Sequence, residues 1–99
     1  MLEKLFDLSG RVALITGGSK GLGKAIARGY AEAGASIAIS ARNEAELAAA
    51  KAEIEDGLDI RCEYYVADMT DRGAVQQLGN QVLEQFGQVD ILVNNAGSN

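Results

Sequence analysis

The stretch VALITGGSKGLGKAIA, residues 12–27, passes from an apolar run into a glycine-rich turn and then into a helical pattern. When a strand, a glycine loop and a helix follow in that order, the free N–H groups of the first helical turn and the positive end of the helix dipole face an anionic ligand. Two phosphate-binding motifs have this form. Counted from Gly17, the glycines form the turn T-G-x-x-x-G-x-G; counted from Gly18, they almost form the triphosphate loop G-x-x-x-x-G-K-[ST].

Position 25 distinguishes the two motifs. A triphosphate loop needs Ser or Thr directly after its lysine to ligate Mg²⁺, and here Ala25, which has no side-chain oxygen, follows Lys24. A second magnesium ligand is expected at the end of a later strand, whereas Asp90 stands before an apolar segment. The residues therefore favour a dinucleotide-binding turn.

Apolar segments and helical patterns alternate along the chain. Helical spacing of apolar residues is expected to end at glycines 34, 57 and 87, and Thr70 is a suitable N-cap for the third helix. The order β-α-β-α-β-α-β predicts an α/β fold with a Rossmann-type, doubly wound parallel sheet, and the alternating third segment is expected near a sheet edge. The predicted strands are 12–16, 36–40, 60–66 and 91–94.

The composition limits the class of protein. Ninety-nine residues with 47% hydrophobic content suffice for one domain, and a net charge of −5 opposes binding to nucleic acid or to an anionic membrane. With no histidine and Cys62 as the one cysteine, zinc sites and Ser-His-Asp or Cys-His catalysis are excluded. A lone cysteine and the lack of a long apolar run predict a cytoplasmic protein that does not enter the membrane.

Three motifs together resemble those of the classical short-chain dehydrogenase/reductase family: TGGSKGLG at 16–23, ADMTD at 67–71 and NNAG at 94–97. The resemblance extends over the whole chain. It implies that residues 1–99 are the N-terminal portion of a longer NAD(P)-binding Rossmann domain. It further implies hydride transfer between a nicotinamide and a carbonyl or alcohol carbon, with a dinucleotide cofactor as the small-molecule partner.

The glycine turn supplies the first part of the implied cofactor site. Gly17 allows the tight turn, Gly21 lets the pyrophosphate approach the backbone, and Gly23 lets the helix pack closely on the sheet. By resemblance, Asp68 and the N–H of Met69 meet the adenine, and the NNAG segment runs under the ribose and nicotinamide. The full set of implied cofactor-binding residues is Gly17, Ser19, Lys20, Gly21, Leu22, Gly23, Arg42, Asp68, Met69, Asn94, Asn95, Ala96 and Gly97.

The residues after the second strand indicate which dinucleotide is bound. The family places an acid there to bind the ribose hydroxyls of NAD, but this chain has Ala41, followed by Arg42. Arg42, with Lys20 in the glycine loop, can pair with the 2′-phosphate of NADP, which is therefore favoured over NAD. Purely structural roles stay open for three of these residues: Arg42 as a solvated charge, Asp68 as the brace of a turn, and Asn94 as a structural residue.

The family's catalytic Tyr-x-x-x-Lys pair is missing. Tyr30, Tyr64 and Tyr65 are followed four residues later by glycine, aspartate and methionine. We therefore expect the 99-residue chain to be inactive alone, and its substrate (a 3-oxoacyl thioester, a sugar acid or a steroid-like ketone) is not resolved. The alternative is a non-catalytic nucleotide-binding or interaction module with the same fold. An unpaired edge on the fourth strand predicts marginal stability and self-association.

Overall fold

The computed structural model describes residues 7–95, and in this range strands and helices alternate as the sequence predicts. β1 is all apolar up to its final threonine and is fully buried, as expected for the centre of a parallel sheet. The elements are β1 (Val12–Thr16), α1 (Gly21–Glu32), β2 (Ser36–Ala41), α2 (Glu44–Glu55), β3 (Cys62–Val66), α3 (Arg72–Phe86) and β4 (Ile91–Asn94).

All the strand pairs of the sheet are parallel, and the strand order is β3-β2-β1-β4. The chain moves outward from β1 to β3 on one side and then returns to place β4 on the other side of β1. This reversal creates a topological switch point between β1 and β4, next to the carboxyl ends of the strands, where open α/β sheets bind ligands. Thr16 at the end of β1 pairs in register with Ser40 of β2 and Asn94 of β4.

Helices cover both faces of the sheet, which confirms the doubly wound arrangement. α1 and α2 pack on one face, where Ile15, Ile37 and Leu47 belong to the larger buried cluster. On the opposite face, α3 contributes Leu78 and Val82 to a second, smaller cluster. The helices thus leave the carboxyl ends of the strands uncovered, so that end of the sheet is available for a site.

The element boundaries differ from the sequence prediction at three places. β2 extends to Ala41, and β3 begins at Cys62 rather than at residue 60. The N-cap of α3 is Asp71, not Thr70: its Oδ1 accepts from the backbone N–H groups of Gly73 (2.9 Å) and Ala74 (3.3 Å). A carboxylate is a stronger acceptor for these free N–H groups than a neutral hydroxyl, which explains the shift by one residue.

Two other sequence predictions are confirmed. Gly34, Gly57 and Gly87 follow the three helices and all have positive φ, as predicted. β3 lies at a sheet edge.

Arg28 of α1 joins the two helices that share a face. Its Nη1 donates to the carbonyl oxygens of Glu53 (3.1 Å), Ile54 (3.0 Å) and Asp56 (2.8 Å), at the C-terminal end of α2. Lys24 adds an ion pair with the Glu53 carboxylate at 2.7 Å. Carbonyls that lack intrahelical partners at the end of α2 are thereby satisfied by a neighbouring helix.

Among residues 7–95, no helix is long and apolar enough to span a bilayer.

Candidate functional site

The glycine loop between β1 and α1 is held against the end of β2. The backbone N–H groups of Gly17 and Gly18 both donate to the Ser40 carbonyl, at 2.8 and 3.3 Å. Gly17 has φ +68°, the left-handed conformation that the predicted tight turn requires. The loop is therefore shaped by backbone contacts within the protein before any ligand is present.

Gly23 lets α1 approach the loop closely, as the motif predicts. A Cβ at this position would overlap the carbonyl oxygen of Gly17 and lie 2.7 Å from Nδ2 of Asn95. Gly21 differs, since a Cβ there would meet nothing within 4 Å. The space beside Gly21 is open to a ligand, whereas the space beside Gly23 is filled by the protein itself.

The end of β4 is tied to the same loop through Thr16. The Thr16 hydroxyl lies 3.1 Å from Oδ1 of Asn94 and accepts from the backbone N–H of Asn95 at 3.0 Å. The Asn95 side-chain amide in turn donates to the Gly17 carbonyl at 3.2 Å. Asn94 and Asn95 thus brace the switch point. Ala96 and Gly97, predicted to continue this segment, lie outside the described residues.

α1 lacks a side-chain N-cap, unlike the other two helices. Lys20 occupies the N-cap position in an extended conformation, its side chain makes no capping hydrogen bond, and the first turn contains no acidic residue. α2 and α3, by contrast, are capped by Asn43 and Asp71. The first N–H groups of a helix need hydrogen-bond acceptors. Because α1 has no side-chain cap, an anion next to the glycine loop can accept hydrogen bonds from these groups.

A cleft with a volume of about 340 Å³ lies at the carboxyl ends of β1, β2 and β3. It brings together six of the predicted residues from three separate parts of the chain. Gly21, Leu22, Gly23, Asn94 and Asn95 do not line it, because they lie toward α1 and β4. The lining residues are Gly17, Ser19, Lys20, Ala41, Arg42, Asn43, Glu46, Ala67, Asp68, Met69 and Thr70.

The basic side chains of the cleft are available to a ligand. Within residues 7–95, neither Lys20 nor Arg42 makes a hydrogen bond or an ion pair through its side chain, and both are exposed. Ser19, beside Lys20, is buried, with 8% of its surface exposed. Two cations without side-chain partners in this range thus line one cleft of a chain whose net charge is −5.

Asp68 braces a turn at the wall of the cleft. Its Oδ1 accepts from the Thr70 hydroxyl at 2.7 Å and from the Thr70 backbone N–H at 2.9 Å. These two bonds, with a smaller contribution from the positive charge of Arg42, hold the pKa of Asp68 below its usual value. Asp68 is therefore ionised at neutral pH, and its Oδ2 has no hydrogen bond within the described range.

Sequence reasoning missed Asn43, Glu46 and Thr70 as members of the cleft. Asn43 is the N-cap of α2, and its Oδ1 accepts from the backbone N–H of Glu46 at 3.0 Å. The signal was present: Asn-x-x-Glu at 43–46 resembles a capping box and places the start of a helix directly after Arg42. Thr70 could have been found in the same way, because Asp-x-Thr is a common side-chain-braced turn.

The described tyrosines and Cys62 lie away from the cleft. None of the three tyrosines lines it; the Tyr65 hydroxyl instead donates to Oε1 of Gln85 at 2.8 Å, and burial raises the pKa of Tyr65. Burial also raises the pKa of the Cys62 thiol to about 12, which opposes formation of the nucleophilic thiolate. No group of three metal-ligating side chains occurs in the range 7–95.

Comparisons with known proteins by sequence and by structure point to the same family. A family model described as short chain dehydrogenase matches residues 11–99. The fatty acyl-CoA reductase of Acinetobacter baylyi is 42% identical over 98 residues, covering 97% of this chain and 33% of the relative. The chain therefore spans about a third of that relative's length.

Solved structures show the same fold at similar identity. L-sorbose reductase from Gluconobacter frateurii, in complex with NADPH and L-sorbose, superposes with a TM-score of 0.88 at 39% identity, covering 93% of this chain and 35% of the reductase. A metagenomic short-chain oxidoreductase in complex with NADP gives a TM-score of 0.84 at 40% identity, covering 91% of this chain and 40% of the oxidoreductase.

Proposed function

The chain belongs to the short-chain dehydrogenase family, and from this premise we propose that it is the NADP(H)-binding part of an oxidoreductase that reduces a carbonyl or oxidises an alcohol. The observation that carries the proposal is the cleft beside the uncapped α1, which Lys20 and Arg42 both line without a side-chain partner among the described residues. Residues 1–99 form, in this proposal, the N-terminal portion of a longer domain, since the matched relatives are about three times as long.

The residues fit a nicotinamide dinucleotide along its length. Its pyrophosphate fits at the first turn of α1, because the free N–H groups there need acceptors and the space beside Gly21 is open. Its adenosine fits the cleft between Arg42 and Asp68, where Oδ2 of Asp68 can accept from the adenine amino group. When bound, the nicotinamide supplies or accepts the hydride; the residues of this chain hold and orient the cofactor.

Preference for NADP over NAD rests on the end of β2. Ala41 brings no carboxylate to the cleft, so nothing at that position repels a 2′-phosphate. The planar guanidinium of Arg42 can bind a phosphate through two hydrogen bonds, and Lys20 adds a second positive charge to the same cleft. The names of two structural relatives, which are complexes with NADPH and NADP, support the same cofactor.

The substrate is left unassigned in this proposal. The relatives reported above are named for fatty acyl-CoA and for L-sorbose, which share no chemistry beyond a reducible carbonyl. The non-catalytic module is the weaker alternative, because these relatives are named as reductases.

Two further features belong to the proposal. β4 has no described strand on its outer side, and Leu92 is 65% exposed there, which supports self-association of the chain through this edge.

Cys62 is a buried free thiol, which supports a reducing, cytoplasmic location.

The experiment titrates the 99-residue chain with NADPH and, separately, with NADH, and it measures binding by nicotinamide fluorescence. We expect NADPH to bind more tightly. Arg42→Ala should weaken the binding of NADPH about tenfold, which is equivalent to about 1.4 kcal/mol for a charge-assisted hydrogen bond. The same substitution should change the affinity for NADH less than about twofold. Arg72→Ala, which removes an exposed arginine away from the cleft, is the control. Tighter binding of NADH, or binding of neither dinucleotide, contradicts the proposal.

A further inference from the structure

Charge in the cleft is balanced rather than purely positive. Four charged side chains line it: Lys20 and Arg42 carry positive charge, and Glu46 and Asp68 carry negative charge. A 2′-phosphate placed beside Arg42 therefore meets carboxylates as well as cations. The strength of phosphate recognition depends on how strongly each carboxylate is already engaged by the protein.

The two carboxylates differ in this respect. Asp68 is engaged, because its Oδ1 accepts two hydrogen bonds from Thr70. The Glu46 carboxylate makes no hydrogen bond or ion pair with any residue in the range 7–95. The backbone N–H of Glu46, by contrast, donates to Oδ1 of Asn43 at 3.0 Å. The Glu46 carboxylate therefore lines the cleft without a hydrogen-bond or ion-pair partner in this range.

The position of Glu46 follows from the cap of α2. Asn43 ends the extended segment that begins with β2, and the helix starts one residue later. Glu46 thus lies in the first helical turn and, like Arg42, lines the cleft. Glu44 lies in the same first turn but does not line the cleft; its Oε2 is 3.4 Å from the Tyr64 hydroxyl. One helical turn thus carries one carboxylate in the cleft and one outside it.

We propose that Glu46 is a specificity-determining residue that limits the preference for a 2′-phosphorylated dinucleotide and keeps the cleft open to the unphosphorylated one. The inference rests on the proposed function. A carboxylate repels a phosphate dianion, whereas it can accept a hydrogen bond from a free ribose hydroxyl. Arg42 and Glu46 therefore act in opposite directions on the same part of the ligand.

The test compares Glu46→Gln with Glu44→Gln by titrating each variant and the wild type with NADPH and NADH at low ionic strength. Both substitutions remove one acid from the first turn of α2, so their effects on the helix dipole and on net charge are matched. For Glu46→Gln we expect the affinity for NADPH relative to NADH to rise about two- to fivefold, the range of an exposed charge interaction. For Glu44→Gln the ratio should change less than about 1.5-fold.

Added salt provides a second measurement. Because exposed charges are screened, the gain of Glu46→Gln over wild type should shrink between about 0.01 and 0.5 M salt. Glu46→Ala should reproduce the gain, and a thermal melt of each variant shows that it is folded at the titration temperature. A ratio that falls, or that changes equally in the Glu46 and Glu44 variants, overturns this inference alone. A wild-type chain that binds neither dinucleotide overturns the proposed function and this inference with it.

Discussion

The side-chain amide of Asn95 donates to the carbonyl oxygen of Gly17 at 3.2 Å and joins the end of β4 to the glycine loop after β1. Gly23 is the residue that leaves room for this bond, because a Cβ on Gly23 would meet both partners. The glycine loop, the start of α1 and the distant end of β4 therefore meet at one point of close contact. The shape of the phosphate-binding loop depends on that contact.

Gly23→Ala should destabilise the protein by about 1–3 kcal/mol, the cost of forcing extra volume into a packed site. It should also weaken dinucleotide binding, since the Gly17 carbonyl must move. Urea unfolding and the NADPH titration measure the two effects. Gly29→Ala is the matched control, because Gly29 lies in the same helix with nothing within 4 Å of the new Cβ. It should stabilise by about 0.5–1 kcal/mol; equal effects of the two substitutions contradict the argument.

Thr16 and Ser40, which are in register on adjacent strands, should respond in opposite ways to loss of their hydroxyl groups. The Ser40 hydroxyl is buried without a hydrogen-bond partner among the described residues, so Ser40→Ala removes a polar group that gains nothing from burial. Unfolding free energy should be unchanged or slightly higher.

Thr16→Val, in contrast, leaves the Asn95 backbone N–H without its acceptor and should cost about 1–3 kcal/mol. Both variants are measured by urea unfolding under one set of conditions. A larger loss in Ser40→Ala than in Thr16→Val speaks against the assignment of Ser40 as unsatisfied.

Protonation of Asp90 should make the protein less stable at low pH. Its carboxylate accepts from the backbone N–H of Val12 at 2.8 Å and from Gln88 at 2.6 Å, and these bonds, with the nearby charge of Arg11, lower its pKa from the usual 3.8. A group whose pKa is lower in the folded state stabilises above its unfolded pKa and loses that contribution as pH falls through the folded value.

Wild-type stability should therefore decline as pH falls below about 4, and Asp90→Asn should decline less steeply over the same window. Thermal melts from pH 2 to pH 7 measure both slopes. Asp59→Asn, which removes an exposed carboxylate that makes no hydrogen bond within residues 7–95, is expected to retain the wild-type slope. Parallel slopes in all three proteins refute the role of Asp90.

Leu92→Lys should reduce self-association. A charged side chain on an unpaired strand edge opposes pairing with another chain, and Leu92 is 65% exposed on β4. Sedimentation velocity should show a wild-type mass that rises with concentration and a variant that stays closer to the monomer. Val66→Lys, which replaces an exposed residue on β3 at the opposite sheet edge, should leave the wild-type behaviour intact. A concentration-independent monomer in the wild type contradicts the expectation.

The strand and helix order was predictable because each element carries a local pattern. β1 is a continuous apolar run, and glycines with positive φ mark the helix ends, so the chain itself encodes these limits. The start of α3 was misplaced by one residue, because Thr70 and Asp71 are both good caps and only the geometry shows that the Thr70 hydroxyl bonds to Asp68.

The cleft was predictable in part. Lys20, Arg42 and Asp68 were found because motifs mark the loops that follow three strands. Glu46 was missed, since whether a side chain in a first helical turn faces the cleft or the solvent depends on how α2 packs against β2 and β3. The unsatisfied hydroxyl of Ser40 was equally hidden, because hydrogen-bond partners across a sheet are set by register and not by local sequence.

The three bonds from Arg28 to the end of α2 make that helix depend on α1 for its last turn. Opening of α1 removes these donors, so the carbonyls of Glu53 and Ile54 return to water at the same moment. In native-state hydrogen exchange, the amides of the two helices should therefore open as one cooperative unit with a shared free energy, while α3, on the opposite face, exchanges independently.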